Sequence, residues 1–198
     1  MTEAHPASDD LFDAFLLQVR ALATDDISDT QRAEGVGTSL GHLTRASWQM
    51  PDPRYCALQP DAPYGSWLLH LDRASGLSVV LDVFGPGQIA AIHNHRCWGA
   101  FVCVSGAERE RSYAMRDGAL VQSATRLMHA GDVAVVLPPG DAFHQVECAS
   151  AQASVSLHVY GADIGRLERL RWEDGRALAF RSGYSNDLTG LPPYRVIA

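Results

Sequence analysis

An all-β fold, a closed barrel or double-sheet jelly roll carrying a helical N-terminal segment, is predicted by three observations. From about residue 66 onward the chain runs as short extended stretches punctuated by Gly, Pro and Asp. Asp117-Gly118, between two of those stretches, is a strong hairpin turn. Before residue 64 the apolar residues recur at helical spacing instead. With 198 residues, 46% of them hydrophobic, the chain is long enough for one well-packed domain and short for two. One domain over 1–198 is therefore expected: a helical cap to about residue 63, a barrel over 64–185 and a C-terminal tail.

Leu11, Phe12, Phe15, Leu16, Val19 and Leu22 form one apolar face of a helix over 9–24, with Ser8 or Asp9 placed to cap it. A weaker helix over 29–46 is diluted by Gly35, Gly37 and Gly41, and Pro51, Pro53, Pro60 and Pro63 then break the chain into a loop. Strands are expected at 66–71, 77–84, 89–93, 100–105, 108–116, 119–128, 133–137, 142–147 and 153–160. The tail alternates weak strand signals with turns such as Ser182-Gly183-Tyr184.

A formal charge of −7 argues against a nucleic-acid partner, because phosphate binding needs a basic footprint. No apolar run approaches the roughly 20 residues that span a bilayer. The stretch Met1-Thr2-Glu3-Ala4-His5-Pro6 lacks the basic and apolar parts of a signal peptide, so a cytoplasmic location is expected. Cys56, Cys97, Cys103 and Cys148 form no Cys-x-x-Cys pair, and reduced thiols are expected.

The chemistry concentrates in three histidines. His93 and His95, one residue apart, follow the glycine-punctuated stretch Phe84-Gly85-Pro86-Gly87. On an extended strand such a pair projects both imidazoles to one face. His144, after the turn Pro138-Pro139-Gly140, would supply a third. Three protein ligands leave coordination positions open, the mark of a catalytic metal site. The spacing from Gly87 through His93 and His95 to Gly106 resembles the first motif of the cupins, and Gly131 to His144 resembles the second. Gly99 stands where many cupins place a glutamate ligand. Three neutral imidazoles leave a divalent metal at +2, which favours anionic substrates and deprotonates a coordinating thiol. Imidazole suits several metals, and open positions with redox chemistry fit Fe(II), one per chain.

Ser156, His158 and Tyr160 alternate along one strand and so share a face. Antiparallel pairing with the strand of His144 would turn that face into the barrel. A hydroxyl, an imidazole and a phenol in line make a hydrogen-bonded relay, with Tyr160 nearest the metal.

Phe84-Gly85-Pro86-Gly87, His93-Asn94-His95, Trp98-Gly99, His144, the run from Ser154 to Gly161, and Ser182-Gly183-Tyr184-Ser185 together resemble the thiol dioxygenases. This cupin family includes cysteine dioxygenase and 3-mercaptopropionate dioxygenase, and the similarity spans about residues 64–185. The resemblance implies a barrel holding Fe(II) through His93, His95 and His144, with Ser156, His158 and Tyr160 as the relay. It implies addition of both atoms of O2 to a thiolate sulfur, giving a sulfinate. The partners expected are a small thiol and O2, with no nucleic acid and no membrane.

Two positions depart from the family pattern. Gly99-Ala100 stands where the mammalian enzymes carry a cysteine crosslinked to the tyrosine, and Cys97 has the wrong offset, so no crosslink is expected. In Tyr64-Gly65-Ser66-Trp67, Ser66 replaces an arginine or glutamine that binds the substrate carboxylate. A serine cannot form the bidentate fork of an arginine. Arg96, Arg166 and Arg169 are the candidate replacements, Arg169 foremost, in a segment able to fold back over the pocket. Tyr64 and Trp98 are placed with Ser66 and Arg169 as substrate-binding residues, while Phe143 flanks a ligand. The run Glu108-Arg109-Glu110-Arg111 alternates sign across both strand faces and is expected to be solvated. The substrate expected first is 3-mercaptopropionate, then mercaptosuccinate or cysteine. The alternatives are a cupin acting on an oxygen substrate, a metal-dependent isomerase, and a metal-dependent small-molecule sensor.

Overall fold

The computed structural model describes residues 6–137 and 142–197. The turn read at Pro138-Pro139-Gly140 and the stretch 1–5 lie outside the described residues. Two helices come first, α1 (Pro6–Thr24) and α2 (Asp29–Arg45), then a short 3-10 turn at Pro53–Cys56. Ten strands follow: β1 (Gly65–Leu71), β2 (Ser78–Phe84), β3 (Gly99–Ser105), β4 (Ala107–Arg116), β5 (Ala119–His129), β6 (Val133–Val136), β7 (Phe143–Cys148), β8 (Ser154–Tyr160), β9 (Arg169–Glu173) and β10 (Arg176–Phe180). A last helical turn, α3, covers Ser185–Thr189. One sheet has the order β1-β2-β8-β3-β6, a second β5-β4-β7, and β9 pairs with β10 as a hairpin. This is the all-β jelly-roll barrel of cupin type, with a helical N-terminal segment, that the sequence predicts.

Alternation along each strand builds the layers. Val79, Leu81 and Val83 of β2, Ala100 and Val102 of β3, and Leu157 and Val159 of β8 face outward from the barrel. There they pack against Phe12, Phe15, Leu16 and Val19 of α1 and Val36 and Leu40 of α2. Each fully buried side chain of this size contributes about 1.5–3 kcal/mol, which makes this layer the main source of stability. The intervening residues, Asp82, Ser156, His158 and Tyr160 among them, face the barrel interior.

Local chemistry accounts for the elements and for where the expectations shift. Ser28 caps α2 through a capping box with Gln31. The glycines of α2 are an adaptation to packing, since a Cβ on Gly37 would come within 3.3 Å of Val133 on β6. The helix α1 begins at Pro6, so Ser8 and Asp9 lie inside it rather than capping it. Asp9 instead binds Arg195 at 2.7 Å and accepts from the Tyr194 hydroxyl, tying the C-terminal segment to α1. Asp117 and Gly118 take φ of 50° and 79°, the left-handed pair that the hairpin joining β4 and β5 requires.

Two expectations are corrected. The strand read over 89–93 is an irregular segment that makes isolated bridges at Ile89 and His93, held between β7 and β9. And β8 does not pair with β7, the strand of His144; it lies between β2 and β3, and the His144 strand pairs with β4. The relay still faces inward, because the two sheets face each other across the barrel.

Candidate metal centre

His93 is positioned by backbone hydrogen bonds from two strands. Its N–H donates to His144 O at 2.9 Å and its carbonyl accepts from His144 N at 2.8 Å. On the other side Trp172 N donates to Ile92 O at 2.8 Å and Asn94 N to Leu170 O at 3.0 Å. The Asn94 side chain accepts from Leu170 N at 2.9 Å. Arg96 then turns the chain with a φ of 57°, which sends its own side chain to the exposed surface. It is thereby set apart from the cavity it was expected to serve.

One ring nitrogen from each of His93, His95 and His144 falls within 4.8 Å of the others. The donor set fits a metal on its hydrogen bonding. His93 Nδ1 lies 2.8 Å from Ala91 O, and His144 Nδ1 lies 2.8 Å from Glu110 Oε1. Both partners are acceptors, so each Nδ1 carries the proton and each Nε2 keeps its lone pair. His144 Nε2 and His95 Nε2 are only 3.2 Å apart. Burial first, and then the neighbouring His144, hold His93 and His95 well below the usual imidazole range, so both are neutral. With their Nδ1 atoms engaged, His93 and His144 are left with Nε2 lone pairs free to meet a cation beside His95.

Glu110 was missed by the sequence reading, which solvated the whole run 108–111. Strand alternation in fact divides that run. Glu108 and Glu110 point into the barrel, while Arg109 and Arg111 pair with Glu147 on the outside. Burial pushes Glu110 up, but its hydrogen bond and charge interaction with His144, together with Arg126, outweigh that and hold it at about 2. It is the carboxylate behind a ligating histidine. The signal was available: two acids at a spacing of two on a strand demand either a solvent face or a polar interior.

The relay is continuous. Tyr160 Oη lies 2.9 Å from His158 Nδ1, and His158 Nε2 lies 2.8 Å from Ser156 Oγ. The Tyr160 ring centroid sits 5.0 Å from that of His95. Burial lowers His158 to about 3 and raises Tyr160 well above its ordinary value, so both are neutral hydrogen-bonding groups. Glycines make room for this arrangement. A Cβ on Gly99 would stand 2.9 Å from Tyr160 Cδ1, so the missing glutamate ligand is replaced in space by the phenol ring. Gly161 likewise lies against the Trp98 indole, 2.2 Å from a built Cβ.

A narrow cavity adjoins the histidines and is lined by Tyr64, Ser66, Asp82, His158, Tyr160, Arg169 and Ser182 among others. Arg169 is 3% exposed, stacks on Phe180 at 4.9 Å, and donates from Nη2 to Ser182 Oγ at 2.9 Å. Its Nε has no partner, and among the described residues no carboxylate pairs with it. Tyr64 stacks on Phe84 at 4.6 Å, and Ser66 lines the cavity beside Asp82, an acid that the sequence reading did not single out. Trp98 is corrected: it belongs to the apolar layer under the helices and not to the cavity wall. Arg166, a candidate for which a solvated surface position is the simpler reading, does lie on the surface, paired with Asp187 at 2.6 Å. Phe143 packs against Trp172 outside the cavity. Cys97, a free thiol, packs in the cluster of Tyr160. Tyr184 of the Ser-Gly-Tyr-Ser motif donates to Asp163 at 2.5 Å and accepts from Gly165 N at 3.0 Å, which anchors the segment that carries Ser182.

No helix among the described residues is long and apolar enough to cross a membrane. No protein-family model matches the chain. Among solved structures, an oxalate oxidase is similar at 21% identity and a TM-score of 0.44, over 54% of this chain and 56% of that one. The chain thus spans little more than half the length of that enzyme. The oxalate decarboxylase of Bacillus subtilis, described with Mn(II) centres, is similar at 26% identity and a TM-score of 0.37, over 45% of this chain and 22% of that one. A cupin domain of a transcriptional regulator from Enterobacter cloacae is similar at 15% identity and a TM-score of 0.40, over 50% of this chain and 96% of that one.

Proposed function

We propose that the chain is an Fe(II)-dependent thiol dioxygenase, holding one iron through His93, His95 and His144 and oxidising a small carboxylate-bearing thiol to its sulfinate. The preferred substrate is 3-mercaptopropionate, with mercaptosuccinate or cysteine next. The observation that carries this reading is the coincidence, in one cavity, of three converging imidazoles, the hydroxyl of Tyr160 and a buried guanidinium that, among the described residues, no carboxylate meets at ion-pair distance. A buried cation without an ion-pair partner is costly, and a ligand carboxylate would complete it.

When bound, the iron supplies the route by which electrons pass from sulfur to oxygen. The residues do the rest. Arg169 takes the carboxylate and fixes the reach of the thiol towards the histidines. Tyr160 donates a hydrogen bond at the reacting end, with its orientation fixed by His158 and Ser156. Tyr64 and Phe84 supply an apolar wall that excludes water. The replacement of the family's arginine or glutamine by Ser66 shifts the carboxylate contact to Arg169 alone.

Oxygen uptake by the iron-loaded protein with a panel of thiols, paired with sulfinate detection, tests the proposal. Consumption should depend on a thiol and give one sulfinate per O2, with 3-mercaptopropionate faster than cysteamine. Binding of small acids without thiol-dependent uptake would assign the chain to the sensor or non-thiol alternatives.

A further inference from the structure

Two buried acids are left over from this mechanism. Asp82 on β2 is the register partner of Ser156 on β8, and its Oδ2 lies 3.6 Å from His158 Nε2. Glu108 reaches in from β4 on the opposite sheet, 2% exposed, towards the hydroxyls of Ser156 and Ser154. Asp82 Oδ1 and Glu108 Oε1 have no hydrogen-bond partner, and among the described residues neither acid makes an ion pair with an arginine. The groups facing Asp82 are Ser66, Arg169, Tyr64, Tyr160 and His158; those facing Glu108 are Glu110, Cys103, Ser154 and Ser156, and the two acids face each other. Two buried carboxylates, each with one oxygen lacking a partner, beside a hydrogen-bonded relay do not serve stability, because apolar residues would do better there.

We propose that Asp82 and Glu108 form a proton store at the inner end of the relay, taking up the proton that a thiol gives up when it binds as thiolate. The inference rests on the thiol reading above. The step is a proton transfer with no change of oxidation state. The S–H bond breaks and Tyr160 Oη accepts that proton while passing its own to His158 Nδ1. His158 Nε2 then gives its proton to Ser156 Oγ, whose hydroxyl proton goes to a carboxylate. The relay ends as it began except for its tautomers, and the acid pair gains one proton and loses one negative charge. After the sulfinate leaves as an anion, the same chain runs in reverse to release the proton to water. Burial raises both acids to about 7, and the charge of Asp82 pushes Glu108 further up, so the pair has capacity for a proton near neutral pH. The two acids act through Ser156 and His158 and do not touch the substrate sulfur.

Anaerobic titration calorimetry of 3-mercaptopropionate into the iron-loaded protein, repeated in buffers of different ionisation enthalpy, counts the protons released per thiol bound. A substrate carboxylate that neutralises Arg169 removes the charge that holds Asp82 down, so the store binds its proton more tightly in the complex; the wild-type release should be about one at roughly pH 5.5, where the store is already full, and clearly below one at roughly pH 8. The D82N/E108Q variant should release about one proton at both values. A wild-type count of about one at both pH values, or an unchanged count in a folded double variant, would overturn the store while leaving thiol binding intact. Absence of binding heat with every thiol would remove the functional reading, and the store with it. The wild-type comparison stands even where a variant does not fold.

Discussion

The two faces of the five-stranded sheet use the same strands for opposite ends. On β8, Leu157 and Val159 point into the apolar layer beneath α1 and α2, while Ser156, His158 and Tyr160 point into the barrel. On β2, Leu81 and Asp82 are neighbours in sequence, and one is buried against helices while the other lines a cavity with one carboxylate oxygen left without a partner. The outer face is fully apolar and closely packed, so its worth is stability. The inner face holds neutralised histidines, a raised phenol and uncompensated charge, a set that lowers stability and is retained for chemistry.

That contrast is breakable by experiment. The largest effect belongs to the ligands: His144→Ala should lose iron and activity by more than the roughly 10–100-fold typical of an outer partner, and Glu110→Ala should fall within that range. Full iron content in the His144 variant would take His144 off the ligand set. On the outer face, Leu81→Ala should cost about 2–5 kcal/mol in denaturant unfolding while the folded, iron-loaded fraction keeps its turnover. Lost turnover at full iron occupancy and intact fold would show that the two faces are coupled. Next, Arg169→Ala should lower kcat/KM for 3-mercaptopropionate by about ten- to a hundredfold, the worth of a charged hydrogen bond of roughly 1.5–3 kcal/mol, and leave cysteamine little changed. Equal losses for both thiols would remove the arginine from carboxylate recognition. Tyr160→Phe should keep the fold and iron but lower turnover or its coupling to sulfinate, and unchanged kinetics and coupling would sink the relay.

The smallest effect sharpens the comparison through pH. Glu108 has its folded value raised by burial to about 7 from an ordinary value of 4.5. The folded protein therefore binds more protons than the unfolded chain between those values, so the contribution of Glu108 is greatest below about 4.5 and is lost as pH rises through about 7. Glu108→Gln should flatten that fall and raise Tm at pH values above 7. A steeper fall in the variant would mean that the acid is compensated in the folded state. Glu110 has the opposite sign: its value is depressed, so its contribution is present above the ordinary 4.5 and is lost as pH falls towards about 2.

Much of this was legible in the residues, for reasons that differ along the chain. The amphipathic face of α1 and the Asp117-Gly118 hairpin are local patterns, and both appear as read. The three histidines stand out because their spacing carries geometry, and their ring nitrogens do converge. Strand partners are not local, so the pairing given to β8 was wrong although its inward face was right. The segment before His93 reads as a strand because its residues are extended, yet its partners lie at Cys148, His144 and Trp172, too far along the chain for any window to see. The alternating run 108–111 failed for a related reason: alternation says that faces differ, and only the closed barrel says which face is wet.

The contact between Gly99 and Tyr160 sets which chemical group borders the histidines. In this chain even a single carbon at Gly99 would stand 2.9 Å from the ring, so a side chain there would have to displace the phenol. A glycine at position 99 thus leaves a hydroxyl-bearing ring, and not a carboxylate, beside His95, and a cation held there would be tuned through hydrogen bonds rather than through coordinated charge.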